Sequence, residues 1–145
     1  MQTVAIKEVV NQLLQACQVR IKGFKRSADY AKMPRHEELF LAYVQQSSQF
    51  LNELKPYLEG EFEEDQQFKL GKSTYKGWTG PMSGHFNSDI KGIFLERLDT
   101  EECIKEIYFS ALQEELPNSL HKLIYKQYSA IMECCDAMRI ICNSL

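Results

Sequence analysis

Long apolar runs are missing from this sequence. No uninterrupted stretch approaches the roughly 20 residues that a helix needs to cross a bilayer, so no membrane span is expected. Charge of one sign is missing too: 17 basic residues stand against 20 acidic ones, for a formal charge of −3. A weakly acidic chain lacks the electrostatic footprint of a nucleic-acid binder, and the cluster Lys22, Lys25, Arg26 is too small to supply one. Histidine is scarce, with only His36, His85 and His121, and no histidine neighbours a cysteine, so nothing marks a Cys/His nucleophile pair. The segment MQTVAIKEVVNQLL carries charge early and has no continuous apolar core, which is not how a secretory signal reads. A soluble, cytoplasmic chain is therefore expected.

Cysteine is present but unpatterned. Cys17, Cys103, Cys134, Cys135 and Cys142 are odd in number and form no Cys-x-x-Cys pair, so reduced thiols are expected. On a helix, Cys134 and Cys135 diverge by about 100°, poor geometry for a shared metal. They read as small buried hydrophobes. The GKST at Gly71–Thr74 ends like a phosphate-binding loop, but Gln66 stands where the first glycine is needed and no strand precedes it. The aromatics and bases of KSTYKGW read as a loop packing its Trp and Tyr onto the fold.

What the chain does have is helical periodicity. Apolar residues make up 44% and charged residues 26%, and 145 residues suit one domain. Four segments repeat apolar residues every three to four positions, and none alternates as a strand would. The first, about 3–30, carries Val10, Leu13 or Leu14, Cys17, Ile21, Phe24 and Ala28, with Thr3 placed to cap it. The second, about 34–58, opens on Pro34 with Glu37 and Glu38 in its first turn, and Pro56 and Gly60 close it. The third, about 88–114, follows Asn87-Ser88 and carries Ile93 or Phe94, Arg97, Ile104 and Tyr108. The fourth, about 118–143, carries Leu120, Ile124, Gln127, Ile131, Cys134 or Cys135, Met138 and Ile141. Between the second and third lies a glycine-rich stretch, 60–87, too long for a tight turn and read as a crossover anchored by Trp78. The spacing predicts an all-α fold, an antiparallel four-helix bundle with a long irregular crossover between helices 2 and 3.

The segments VNQLLQAC, RIKGF, LFLAYVQQSSQFLNEL, KSTYKGW, EEC..EIYFSAL, ELP and KQYSAIMECCD, in that order, resemble an uncharacterised bacterial family of ferritin-like four-helix bundles, related in architecture to rubrerythrin and bacterioferritin. The resemblance runs from about Val4 to Leu145. It implies a mid-bundle site in which a Glu on each of two helices and a Glu-x-x-His on each of the others hold two ions of iron or manganese. This chain has no Glu-x-x-His. At the positions the resemblance assigns to inward ligands stand Lys22, Gln46, Leu98 and Cys135, a set that does not make a di-iron site. Residual candidates for a single metal are Glu101, Glu102, Glu106, Glu133, Cys135 and Asp136. Gln46 and Gln127, polar residues on apolar seams, are expected to bond to other side chains rather than to solvent.

Three functions follow as expectations. A bundle without metal or other cofactor would act through its surface, as a homo-oligomer, a protein-binding module or a stress-associated partner. An oxidoreductase or metal-storage protein would need an unorthodox carboxylate set. A small-molecule carrier would need an apolar cavity. The missing ligand chemistry favours the first, a non-enzyme, and Phe62, Phe68, Tyr75, Trp78 and Phe86 are candidates for a dimer surface.

Overall fold

The computed structural model describes residues 4–58 and 89–145, and among them every regular element is helical. The described residues hold four α-helices: α1 (Val4–Tyr30), α2 (Pro34–Leu54), α3 (Ile90–Leu112) and α4 (Asn118–Ser144). None is long and apolar enough to cross a membrane. The expected crossover, 60–87, with Trp78, His85 and the aromatic candidates for a dimer surface, lies outside the described residues, as do Thr3 and Asn87-Ser88.

Local chemistry sets the helix ends. α1 stops where the amide of Ala31 bonds back to the carbonyls of Ser27 and Ala28, three residues before Pro34. α2 starts on Pro34, whose missing N–H costs nothing in a first turn. It ends at Leu54, the last residue of its apolar stripe and short of the expected end near 58, because Pro56 cannot donate an i→i−4 bond. The chain tightens there into a 3₁₀ turn, Lys55–Tyr57. α3 also closes by tightening, with Gln113 and Glu114 donating to Ser110 and Ala111, so it is shorter than expected by two residues at this end. α4 follows Pro117 after a short link.

The helices bury their apolar stripes in two clusters. One gathers Val10, Leu13, Leu14 and Cys17 of α1, Phe50, Leu51 and Leu54 of α2, Ile104, Ile107 and Tyr108 of α3, and Leu120, Ile124 and Ile131 of α4. The other gathers Phe24 and Ala28, Phe40, Ile93 and Phe94, and Cys134, Met138 and Cys142. Burying each large side chain contributes about 1.5–3 kcal/mol. Between the clusters on α1, α2 and α3 the inward positions are polar: Arg20, Ser47, and the run Arg97, Thr100, Glu101. Ser27 and Ser47 satisfy their hydroxyls within their own helices, donating to the carbonyls of Gly23 and Tyr43. Contacts between α1 and α3 rise along one as they fall along the other: Cys17 meets Tyr108, Arg20 meets Glu101, and Gly23 faces Arg97. Gln127 of α4 reaches back to Phe50 and Glu53 of α2.

Candidate functional site

In the polar belt, chemistry-bearing side chains from several helices converge inside this fold. Its centre is Arg20, fully buried on α1. The Nε of Arg20 donates to Glu101 Oε1 on α3 at 2.9 Å, and Nη2 donates to Gln46 Oε1 on α2 at 3.0 Å. Both members of the ion pair are 0% exposed. The guanidinium also lies 5.5 Å from the ring centroid of Phe24 and 5.7 Å from that of Phe50, so its apolar faces are covered by aromatics. Burial opposes the charge on Arg20, but the carboxylate of Glu101 outweighs it, and the arginine holds its proton more tightly than in water.

A second buried guanidinium, Arg97, sits on the other side of the same layer, 5.5 Å from the Phe24 centroid. Its bonds are weaker. Nη2 reaches Glu96 Oε1 at 3.3 Å and Thr100 Oγ1 at 3.5 Å, while Nε and Nη1 have no hydrogen-bond partner. Burial lowers the proton affinity of Arg97, with Glu96 only partly restoring it, and burial raises that of Glu96. Arg97 fits because position 23 is glycine. A Cβ there would overlap Nη1 and lie 2.8 Å from Cζ.

A second hydrogen-bond relay borders the ion pair. Tyr108 donates to Gln127 Oε1 at 2.7 Å, and Gln127 Nε2 donates to the carbonyl of Phe50 and to Glu53 Oε1 at 3.3 and 3.1 Å. Cys17 lies 3.5 Å from the Tyr108 hydroxyl. Gln46 and Gln127 thus bond to other protein groups, in line with their placement on apolar seams.

The sequence-level candidates fare unevenly. Glu101 is central and buried, and Gln46 lines the belt. Cys135 is buried but takes no place in the hydrogen bonds of the belt. Glu102 is half-buried on the outside, where it pairs with Lys105 at 2.8 Å and with Arg139. Glu106, Glu133 and Asp136 are exposed, and Asp136 pairs with Arg139 at 3.1 Å. Two placements are corrected. Lys22 is exposed rather than inward, because positions 20, 23, 24 and 27 take the buried face of α1. Leu98 packs at the margin of the second apolar cluster, and the inward positions of its turn are Arg97 and Glu101. Among the described residues no group of three or more His, Cys, Asp or Glu side chains converges as metal ligands do. Sequence reasoning missed Thr100 and, at the centre of the belt, Arg20; the signal available for Arg20 was its position midway between Cys17 and Phe24 on the stripe.

The buried thiols are held in their protonated form. Burial, with Glu101 and Glu102 nearby, pushes Cys135 up to about 12, and burial pushes Cys17 up to about 11. Cys134, beside Glu101, is raised further, again by burial first. At neutral pH the native protein is expected to react with a thiol reagent slowly, through half-buried Cys103 first, the other four thiols becoming available only on unfolding. Ellman titration with and without denaturant checks this. The linked pH effect has a definite sign. Stability from these groups is complete below their unfolded value of 9.0 and is lost as pH rises towards about 11 and 12, since only the unfolded thiols then release protons.

No protein-family model matches this chain, and neither a curated protein nor a solved structure matches it.

Proposed function

We propose that the chain is an antiparallel, ferritin-like four-helix bundle in which an arginine–carboxylate network stands where a metal centre would be, and that it acts as a binding or structural protein through its surface rather than as an enzyme. Support for the topology comes from the order of contacts. In a simple up-down-up-down bundle α1 and α3 would lie diagonally and run the same way. Here Cys17, Arg20 and Gly23 meet Tyr108, Glu101 and Arg97 in reverse order, which supports a different connectivity from that simple one.

The observation that carries the functional reading is the Arg20 guanidinium, fixed between Glu101 and Gln46 at the centre of the belt. A resident cation there already neutralises Glu101, the one fully buried carboxylate among the described residues. A divalent ion would face the repulsion of Arg20 and of Arg97, and would have to break a buried pair to gain a ligand. The alternative, an iron or manganese oxidoreductase or store, would require Glu101 to leave Arg20. It would also require Glu102, Glu133 and Asp136 to turn inward from the surface. Protein incubated with ferrous iron, manganese or zinc and then desalted is expected to retain far less than one equivalent by elemental analysis. Stoichiometric retention that is lost in Glu101→Gln would overturn the proposal.

A further inference from the structure

We propose that the outward face of α4 docks a second copy of this chain, the two α4 helices packing antiparallel about a two-fold axis near Ser129. Tyr125 and Met132 lie on this face and are 57% and 37% exposed. Ring contacts continue the apolar surface from Tyr125 through Tyr128 to Phe109 of α3, itself 49% exposed. Contiguous exposed apolar surface rimmed by charge is the mark of an interaction site. The inference deepens the reading of the chain as a protein that acts through its surface, and rests on it. Metal retention tests that reading and self-association tests this one, so either can fail alone.

The charges select the partner. On this exposed face the basic residues, Lys122 and Lys126, precede Ser129, and the acidic ones, Glu133 and Asp136, follow it. Such a face is complementary to its own reverse, as a two-fold interface must be. At about 100° per residue, Lys126 and Glu133 share one flank of the face, about 20° apart around the helix, while Tyr125 and Met132 share the other flank, also about 20° apart. A two-fold axis across the helix reverses its direction and keeps the flanks. Lys126 then meets the partner's Glu133, Tyr125 meets the partner's Met132, and Lys122 meets the partner's Asp136. The distances from the axis agree, since these pairs stand three and four, four and three, and seven and seven residues from Ser129. A parallel pair would instead set like charges level with one another. Ser129 is small, and its hydroxyl is satisfied within the helix by the carbonyl of Tyr125 at 3.0 Å, so the backbones can approach closely at the axis. Among the described residues no ion pair engages Lys122, Lys126 or Glu133. Asp136 pairs with Arg139, but its side chain is 70% exposed and has room for a second cation. Two helices in contact make a small interface, so a weak dimer is expected, with Kd on the order of 10–100 µM.

Sedimentation equilibrium of the full chain between about 5 and about 500 µM is expected to show a monomer–dimer equilibrium that weakens as salt is added. Lys126→Glu and Glu133→Lys alter exposed side chains, so each is expected to keep the helical circular dichroism of the unaltered chain. Each places a like-charge contact on both sides of the axis and is expected to weaken the dimer at least about tenfold. The combined variant Lys126→Glu/Glu133→Lys restores opposite charges at both contacts and is expected to return Kd to within about threefold of the original. Within one helix the two positions are two turns, about 10 Å, apart, so rescue reports the contact between copies. The proposal is overturned by a monomer at every concentration, by a dimer that tolerates either single change, or by failure of the combined variant to restore association.

Discussion

Arg20→Ala is expected to destabilise the fold by about 3–5 kcal/mol, a large share of the stability of a chain this size. The reason is not the attraction that is lost but the group left behind. Glu101 is fully buried, and Arg20 is the cation that pairs with it in the belt. Without Arg20 the carboxylate must stay charged and unpaired in an apolar layer, or take up a proton at a cost. Gln46 Oε1 loses its donor at the same time. Glu101→Ala is expected to cost a similar amount by stranding the guanidinium between Phe24 and Phe50. The double variant Arg20→Met/Glu101→Leu removes both charges and keeps most of the volume. It is expected to recover most of the loss, since replacing a whole buried pair by apolar side chains is often neutral or stabilising. Urea unfolding followed by circular dichroism measures all three. If Arg20→Ala costs no more than the roughly 0–1 kcal/mol of an exposed pair, the belt is open to water and the pair is not buried.

The same residues explain how far the sequence could be read. The stripe Val10, Leu13, Leu14, Cys17, Phe24, Ala28 follows helical spacing, so α1 and its inward face were legible from periodicity alone. Position 20 belongs to that face, but arginine is almost never fully buried unless paired, and its partner lies 81 residues away in sequence. Nothing local marks such a pair. Arg97 stood on the predicted stripe of the third helix for the same geometric reason, without any sign of what it would touch. Lys22 shows the opposite error. Two residues on from Arg20 is a turn of about 200° on a helix, enough to carry a side chain from the core to solvent. Placing the inward cation at 22 gave the right kind of charge at the wrong residue. The carboxylates divided in the same way: Glu101 and Glu102 are adjacent, so only one of them can face inward, and the buried one is the one that meets Arg20. His36 was legible as lying near a helix start, but its burial against Phe94 depends on how α3 packs on α2.

Gly23→Ala should run against the usual rule for helices. In the interior of an ordinary helix, alanine is favoured over glycine by about 1 kcal/mol. Gly23 lies well inside α1 and does not end it, so propensity alone predicts a gain. The added methyl, however, falls on the Arg97 guanidinium, with Cζ at 2.8 Å and Nη2 at 3.0 Å. Arg97 is only 1% exposed and has no route to water. To make room it must abandon its contacts with Glu96, Thr100 and the Phe24 ring, and those partners are themselves buried. Overpacking of this kind costs about 1–3 kcal/mol, which outweighs the gain in propensity. The sign is then set by the side chain at position 97. In an Arg97→Leu background the obstruction is shorter and uncharged, and Gly23→Ala is expected to become neutral or stabilising by up to about 1 kcal/mol. A double-mutant cycle by urea unfolding should give a coupling of about 2 kcal/mol between two residues 74 positions apart in sequence. Stabilisation by Gly23→Ala in the wild-type chain would mean that Arg97 has room to move. Glycine at 23 would then be a matter of chance rather than the condition for burying a second arginine.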